Sequence, residues 1–313
     1  MMRKIVDVTK KRDRNDRKAK RTGKKARIAG NVARYVILIG IGFVFLYPVL
    51  YMAVNSLKSV EDLVDPTIEW LPRGICFDNF VKALNTLSFG SSFANSLLTS
   101  LIPAVLQSFA CAVTGYALAR FSIPGKKFWM ALMVAAFITP SQVMLIPRYL
   151  MFNQYKMINT LLPQFLPALF GQGLKSSLFI LVYFNFFSTY PKSLDESAYL
   201  EGAGRLTVFF RVAIPLAVPA HVVSFLFSFV WYWNETSQAS LLFGSVIKTL
   251  PMKLGSFADS YKSLYAPEVS FSSVNEAVSL AGTLLSILPL LIFYLILQKQ
   301  FVESIEKSGI TGE

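Results

Sequence analysis

Several stretches of this chain are free of charge over lengths that match a lipid bilayer, among them Tyr35–Leu57, 23 residues, and Ala83–Ala119, 37 residues. About 20 apolar residues, rising 1.5 Å each in a helix, cross a hydrocarbon core ~30 Å thick. No water inside lipid satisfies backbone N–H and C=O groups, so uncharged runs of this kind fold as helices. The first span is read at Tyr35–Leu57, and the second lies within Ala83–Ala119, from about Ser92. Four more are read near 128–147, 175–188, 213–234 and 276–298, with 157–174 as an irregular or re-entrant lead-in to the fourth. With 54% hydrophobic residues and a mean hydropathy of +0.49, the expected fold class is an all-α polytopic membrane protein with six transmembrane helices.

The net charge of +13 belongs mostly to one end. Residues 1–34 hold 14 Lys and Arg against 3 Asp, and the remaining 17 basic and 15 acidic residues leave only +2. The expected organisation is a basic arm over 1–34, a membrane domain over 35–300 and a short tail over 301–313. Basic residues outside the arm divide almost evenly between the two sides, so the arm alone sets orientation by the positive-inside rule. It places both termini in the cytoplasm and has anionic lipid headgroups within reach. No aromatic residue precedes Tyr35, so base stacking, and with it nucleic-acid binding, is not expected.

Several chemistries are excluded by the same reading. His221 is the sole histidine and sits in a span, Cys76 and Cys111 fall in a loop and a span, and GLKSS around Lys175 lacks the Gly-Lys pair of a P-loop. No catalytic residue, metal ligand or disulfide is expected in this chain.

One segment breaks the apolar pattern. Tyr190–Ala220, YPKSLDESAYLEGAGRLTVFFRVAIPLAVPA, is charged, amphipathic and interrupted by glycine. Ser193 and Glu196 have capping-box spacing, which predicts a short helix starting at Ser193. Gly202 and Gly204 predict its end. A second helical pattern then puts Leu206, Phe209, Phe210 and Ala213 on one face, seated on the membrane domain. Six spans place this loop in the cytoplasm.

Glu196, Ser197, Ala198, Gly202, Val212, Ile214 and Pro215 resemble the EAA signature of the inner-membrane permease subunits of bacterial ABC importers. Ser197 stands for the first Ala, and Val212 and Ile214 for the two hydrophobes. GYALARFSIPGKK (115–127), TPSQVMLIPRYL (139–150) and FVWYWNE (229–235) are similar to segments of the carbohydrate-uptake branch, in the manner of the second permease of maltose-type importers. The tail QKQFVESIEKSGITGE departs from that pattern. The resemblance implies a multi-pass subunit of the bacterial inner membrane, paired with a homologous permease as a heterodimer. It further implies two ATP-binding subunits, which would hold ATP and Mg, and an extracytoplasmic solute-binding protein. Within loop 190–215, the short helix at Glu196–Leu200 becomes the coupling helix that meets an ATPase subunit, with Gly202 allowing its bend. Capping by its own helix explains Glu196 equally well by itself, and the two readings are compatible.

Residues of a substrate path are sought at the end of the fifth span, where aromatic faces and amides suit sugar C–H surfaces and hydroxyls: Trp231, Trp233, Asn234 and Glu235, with Gln107 from the second span. An interfacial aromatic belt explains the rings without any substrate. Gln107 belongs to a face with Ser96, Ser100, Pro103 and Thr114 that must meet protein or water rather than lipid. The rival to an importer subunit is an ion-coupled carrier or channel needing no ATPase, for which mid-span ionisable groups and inverted repeats are the expected marks.

Overall fold

The computed structural model of the chain describes residues 30–265 and 276–309, with side chains described up to residue 300. The arm up to residue 29, the segment 266–275 with Glu268, and the end of the tail lie outside the described residues. Helices and turns make up the described residues, without a strand. Two units are distinguished, residues 1–75 and 76–313.

The first unit consists of a long apolar helix, α1 (Gly30–Asn55), and an ordered loop. Its short α2 (Val60–Val64) is capped by Ser59, whose hydroxyl accepts from the Asp62 amide at 3.1 Å. Asp62 in turn accepts from the Arg73 amide at 3.0 Å, and Lys58 Nζ donates to the Ile68 and Glu69 carbonyls at 3.0 and 2.9 Å. The acidic loop is thus knitted by its own charges.

The second unit is organised around α4 (Phe89–Arg120), which packs along α8 (Ser176–Thr189) on one side and α12 (Val218–Asn234) on another. A last helix, α16 (Glu276–Gly309), packs against α12 and against α3 (Asp78–Thr86). Two apolar cores result. One gathers Ala104, Phe229, Trp233 and Val278 towards the start of α4, and the other gathers Cys111, Tyr116, Phe179, Phe187 and Phe209 towards its end. The polar stripe of α4 meets protein: Ser96, Ser100, Pro103 and Gln107 are buried. Pro103 has no N–H to give the Thr99 carbonyl, and the side chain of Gln164 in α7 (Leu162–Leu169) fills that place at 2.8 Å.

The α4 and α8 backbones touch at Gly115. A Cβ there would lie 2.6 Å from Tyr183 Cβ and 2.9 Å from the Phe184 amide nitrogen, so no larger residue fits. Close beside it, the Tyr183 hydroxyl bridges Ser108 Oγ at 2.7 Å and His221 Nδ1 at 2.6 Å. His221 is therefore part of an interhelical hydrogen-bond chain.

Among the described residues, α1, α4 and α16 are long and apolar enough to cross a membrane, and the pair Arg205–Leu216 and Val218–Asn234, bent by 76°, reaches that length only when taken as one span. Two sequence boundaries are corrected. The third span, read as one helix near 128–147, is broken: α5 (Lys126–Ile138) stops at Thr139 because the residue before Pro140 is pushed out of helical conformation. The chain restarts as α6 (Leu145–Gln154), where Pro147 falls in the first turn and forfeits no helical bond. The lead-in 157–174 contains α7 and so is only partly irregular.

Candidate functional site: the helix between α8 and α12

After α8 the chain runs extended through Tyr190 and Pro191, and α9 spans Lys192–Leu200. Pro191 occupies the N-cap position, and the capping box does not form. Proline fixes an extended entry, so the helix begins before Ser193 can act as its cap, and Ser193 and Glu196 both lie exposed. Asp195 does fall in the first turn, where the helix dipole favours an anion.

The far end follows the glycine expectation closely. Gly202 has φ +84°, its N–H donates to the Tyr199 carbonyl at 3.0 Å, and the Ala203 N–H reaches back to the Ala198 carbonyl at 3.0 Å. This pair of bonds is a Schellman motif, with glycine in the left-handed position that other residues avoid. Gly204 is extended and starts α10 (Arg205–Val208).

The second helical pattern is not regular. Phe209–Ala213 forms a π-helical turn, followed by α11 (Ile214–Leu216) and the break at Ala217. The wider turn re-aims the side chains. Val208, Phe209, Ala213 and Ala217 are buried, whereas Leu206 is 74% exposed and Phe210 is half-exposed. The expected face of Leu206, Phe209, Phe210 and Ala213 is therefore corrected: Phe209 and Ala213 seat the segment, and Phe209 packs on Tyr116 with ring centroids 5.0 Å apart. Val212 and Ile214 are half-buried and Pro215 is exposed.

Asp195 is the sole buried side chain of α9. Its Oδ1 accepts from the Tyr190 hydroxyl at 2.6 Å, and its Oδ2 lies 3.3 Å from Nε of Arg120, the last residue of α4. The same guanidinium donates to the Tyr190 carbonyl at 2.8 Å and lies 3.6 Å from the Tyr190 ring centroid. Burial, then the bond to Asp195, push the Tyr190 hydroxyl above its ordinary range, so it remains a donor at neutral pH. Sequence reading missed Arg120 as a partner. The available signal was its position as the first charge after 37 uncharged residues.

The residues proposed for a substrate path separate. Gln107 is fully buried with its amide occupied: Nε2 donates to the Leu174 carbonyl at 2.7 Å and to Ser228 Oγ at 3.2 Å, while Oε1 accepts from the Tyr232 hydroxyl at 2.6 Å. Trp233 is buried between Phe93 and Phe229, and Trp231 lies beneath Lys175 Nζ at 4.5 Å. Asn234 is exposed and donates to the Val230 carbonyl at 2.9 Å. Glu235 accepts from the Gln238 amide at 2.8 Å at the start of α13 (Ser237–Phe243), and lines a small cleft with Arg148, Gln164, Gln238 and Tyr232. Of the five, Glu235 faces a cleft, and Gln107 serves the packing of three segments.

A bundle of apolar helices broken by an exposed, sharply bounded polar helix defines a class: all-helical integral membrane proteins. The chain belongs to the family described as binding-protein-dependent transport system inner membrane components, whose model matches residues 112–307 and so includes α9 and its flanks. Its function is that of a permease subunit of an ATP-binding-cassette importer. It is similar to the probable ABC transporter permease protein YurM of Bacillus subtilis, 29% identical over 90% of this chain and 89% of the relative. The diacetylchitobiose uptake system permease protein DasC of Streptomyces coelicolor is 28% identical over 91% and 98%. The melibiose/raffinose/stachyose import permease protein MelC of B. subtilis is 28% identical over 85% and 91%. A chain in the crystal structure of a bacterial ABC transporter involved in alginate import shares the fold, with a TM-score of 0.73, 24% identity and coverage of 88% of this chain and 97% of that one. The rival expectation of an ion-coupled carrier or channel finds no support in these matches.

Proposed function

We propose that this subunit carries a sugar or oligosaccharide across the bacterial inner membrane, with α9 as the coupling helix that seats on a separate ATPase subunit. The observation that carries the reading is the make-up of α9. It is a nine-residue helix whose Leu200 is 90% exposed and whose Leu194 and Tyr199 are 42% and 40% exposed, bounded by Pro191 and a Schellman glycine. Exposed leucines on a rigid, short helix suit an apolar cleft in a partner protein. Six spans, with both termini and α9 in the cytoplasm, follow if α5 and α8, at about 20 Å each, cross together with their flanking segments. The partners would be a second permease as a heterodimer, two ATP-binding subunits holding ATP and Mg, and an extracytoplasmic solute-binding protein. The sugar class rests on relatives named for diacetylchitobiose and for melibiose, raffinose and stachyose uptake.

Labelled raffinose, maltotriose and diacetylchitobiose supplied to host cells with and without this gene test the substrate class. Uptake of at least one is expected to fall more than tenfold in the deletion strain and to return with the gene. Undiminished uptake of all three, alongside lost uptake of an amino acid or an ion, would reassign the substrate. Leu200→Glu tests coupling: loss of the ATPase subunits on purification through this chain is expected, and full retention would remove α9 from the interface.

A further inference from the structure

We infer that Arg120, Tyr190 and Asp195 form a latch through which the central helix α4 holds and aims α9, making Arg120 a positioning residue for coupling. The inference rests on the reading of α9 as the coupling helix. A helix normally takes its orientation from an apolar face pressed on a core. α9 has no such face: its one buried side chain is a carboxylate. What orients it must be directional, and the guanidinium supplies two directions and a charge. It donates to the Tyr190 carbonyl, stacks on the Tyr190 ring, and pairs with Asp195 by proximity, its Nε lying 3.3 Å from the carboxylate without hydrogen-bond geometry. Asp195 uses its other oxygen for the Tyr190 hydroxyl, closing a ring of three residues. The Arg120 and Asp195 side chains are only 5% and 9% exposed, so water and salt do little to loosen the pair.

The latch gives α9 a third attachment. Its covalent neighbours lead to α8 and, through the π-helical turn, to α12, while Arg120 ties it directly to α4. A push on α9 is then shared by α4, α8 and α12. Without the latch, α9 keeps its chain links at Pro191 and Gly202 and the approach of Tyr199 to Tyr116 of α4, and loses its one charged tie to that helix.

The importer assembly, purified through a tag on this chain and placed in nanodiscs, allows a test with Mg-ATP as the probe. Arg120→Gln and Asp195→Asn are each expected to speed amide exchange across 192–200 at least tenfold and to lower ATP hydrolysis at least fivefold, with the ATPase subunits still bound. Arg120→Lys keeps the charge but loses the fork and the stacking plane, and falls between them and the native chain. The double variant Arg120→Gln/Asp195→Asn leaves no unpaired charge and is expected to be no worse than the worse single variant. Exchange within twofold of native in both single variants, or single effects that multiply in the double, overturns the latch. Unchanged hydrolysis with accelerated exchange also overturns it as a coupling device. Leu200→Glu separates the two claims. If it retains its ATPase subunits and full hydrolysis, the coupling-helix reading itself fails; if it loses them while Arg120→Gln behaves as native, only the latch fails.

Discussion

Two polar clusters sit at two depths of α4, and they are built from opposite materials. At Gln107 the groups are neutral, fully buried and closed on one another: an amide, a tyrosine hydroxyl, a serine and a backbone carbonyl. At Arg120 they are charged and at the helix end, where the dipole favours a cation. The contrast follows the solvent. In the middle of a span an unpaired charge is costly, so polarity there is neutral and satisfied; at the end of a span a charge pair is tolerable and far more directional. Yet the two clusters do the same work on α8. Gln107 binds the Leu174 carbonyl just before α8 begins, and Arg120 binds the Tyr190 carbonyl just after it ends. One helix is stapled to another at both ends, once without charge and once with it.

The largest effect is expected from removing what the two staples share. Gly115→Val places a side chain against Tyr183 and the Phe184 backbone, separating α4 from α8 at a cost of about 3 kcal/mol. The expected readout is collapse of the monodisperse peak and of the thermal transition in detergent. A normal melting curve would show that the staples alone hold the pair. Gln107→Leu comes next. It leaves the Tyr232 hydroxyl without its acceptor, though still accepting from the Leu174 N–H at 3.1 Å, and leaves the Leu174 carbonyl without its donor. The expected cost is about 1–2 kcal/mol, the upper range for interhelical bonds in membranes. Adding Tyr232→Phe should cost less than the sum of the two, and strict additivity of the melting shifts would mean that the amide and the hydroxyl act separately. Gly202→Ala touches neither staple and forces an L-residue to φ +84°, at about 1 kcal/mol. It should leave the melting temperature nearly unchanged while reducing ATPase retention severalfold, and a large melting shift would place Gly202 in the fold rather than in docking.

The sequence made some of this legible because periodicity and turn chemistry are local. The buried stripe of Ser96, Ser100, Pro103 and Gln107 showed in helical spacing, and the end of α9 showed in Gly202. Local rules also misled where a neighbour overrode them. Pro191 started α9 ahead of Ser193, Pro140 split the third span despite continuous hydropathy, and the π-helical turn rotated Leu206 and Phe210 outward. The partners of Gln107 and Arg120 were out of reach for a different reason. They are backbone carbonyls and a carboxylate some 70 residues away, and for Gln107 also two hydroxyls, Ser228 and Tyr232, 121 and 125 residues away, and no periodicity links a side chain to groups so distant in the chain. Glu196 drew attention through its motif, while the adjacent Asp195 carries the contacts that hold the helix.

The close approach at Gly115 has a mechanical meaning. Between Gln107 and Arg120, α4 runs without a proline, since Pro103 lies upstream, and the stretch is roughly 20 Å long. Bound to α8 along that whole length, it cannot twist or slide alone and acts as a stiff beam. A rotation of about 10° about one end would carry the other end some 3–4 Å, from the beam length just given. A small tilt at Arg120, in the shallow layer beside α9, becomes a displacement larger than a hydrogen bond at the depth of Gln107, where three segments meet and have no slack to absorb it.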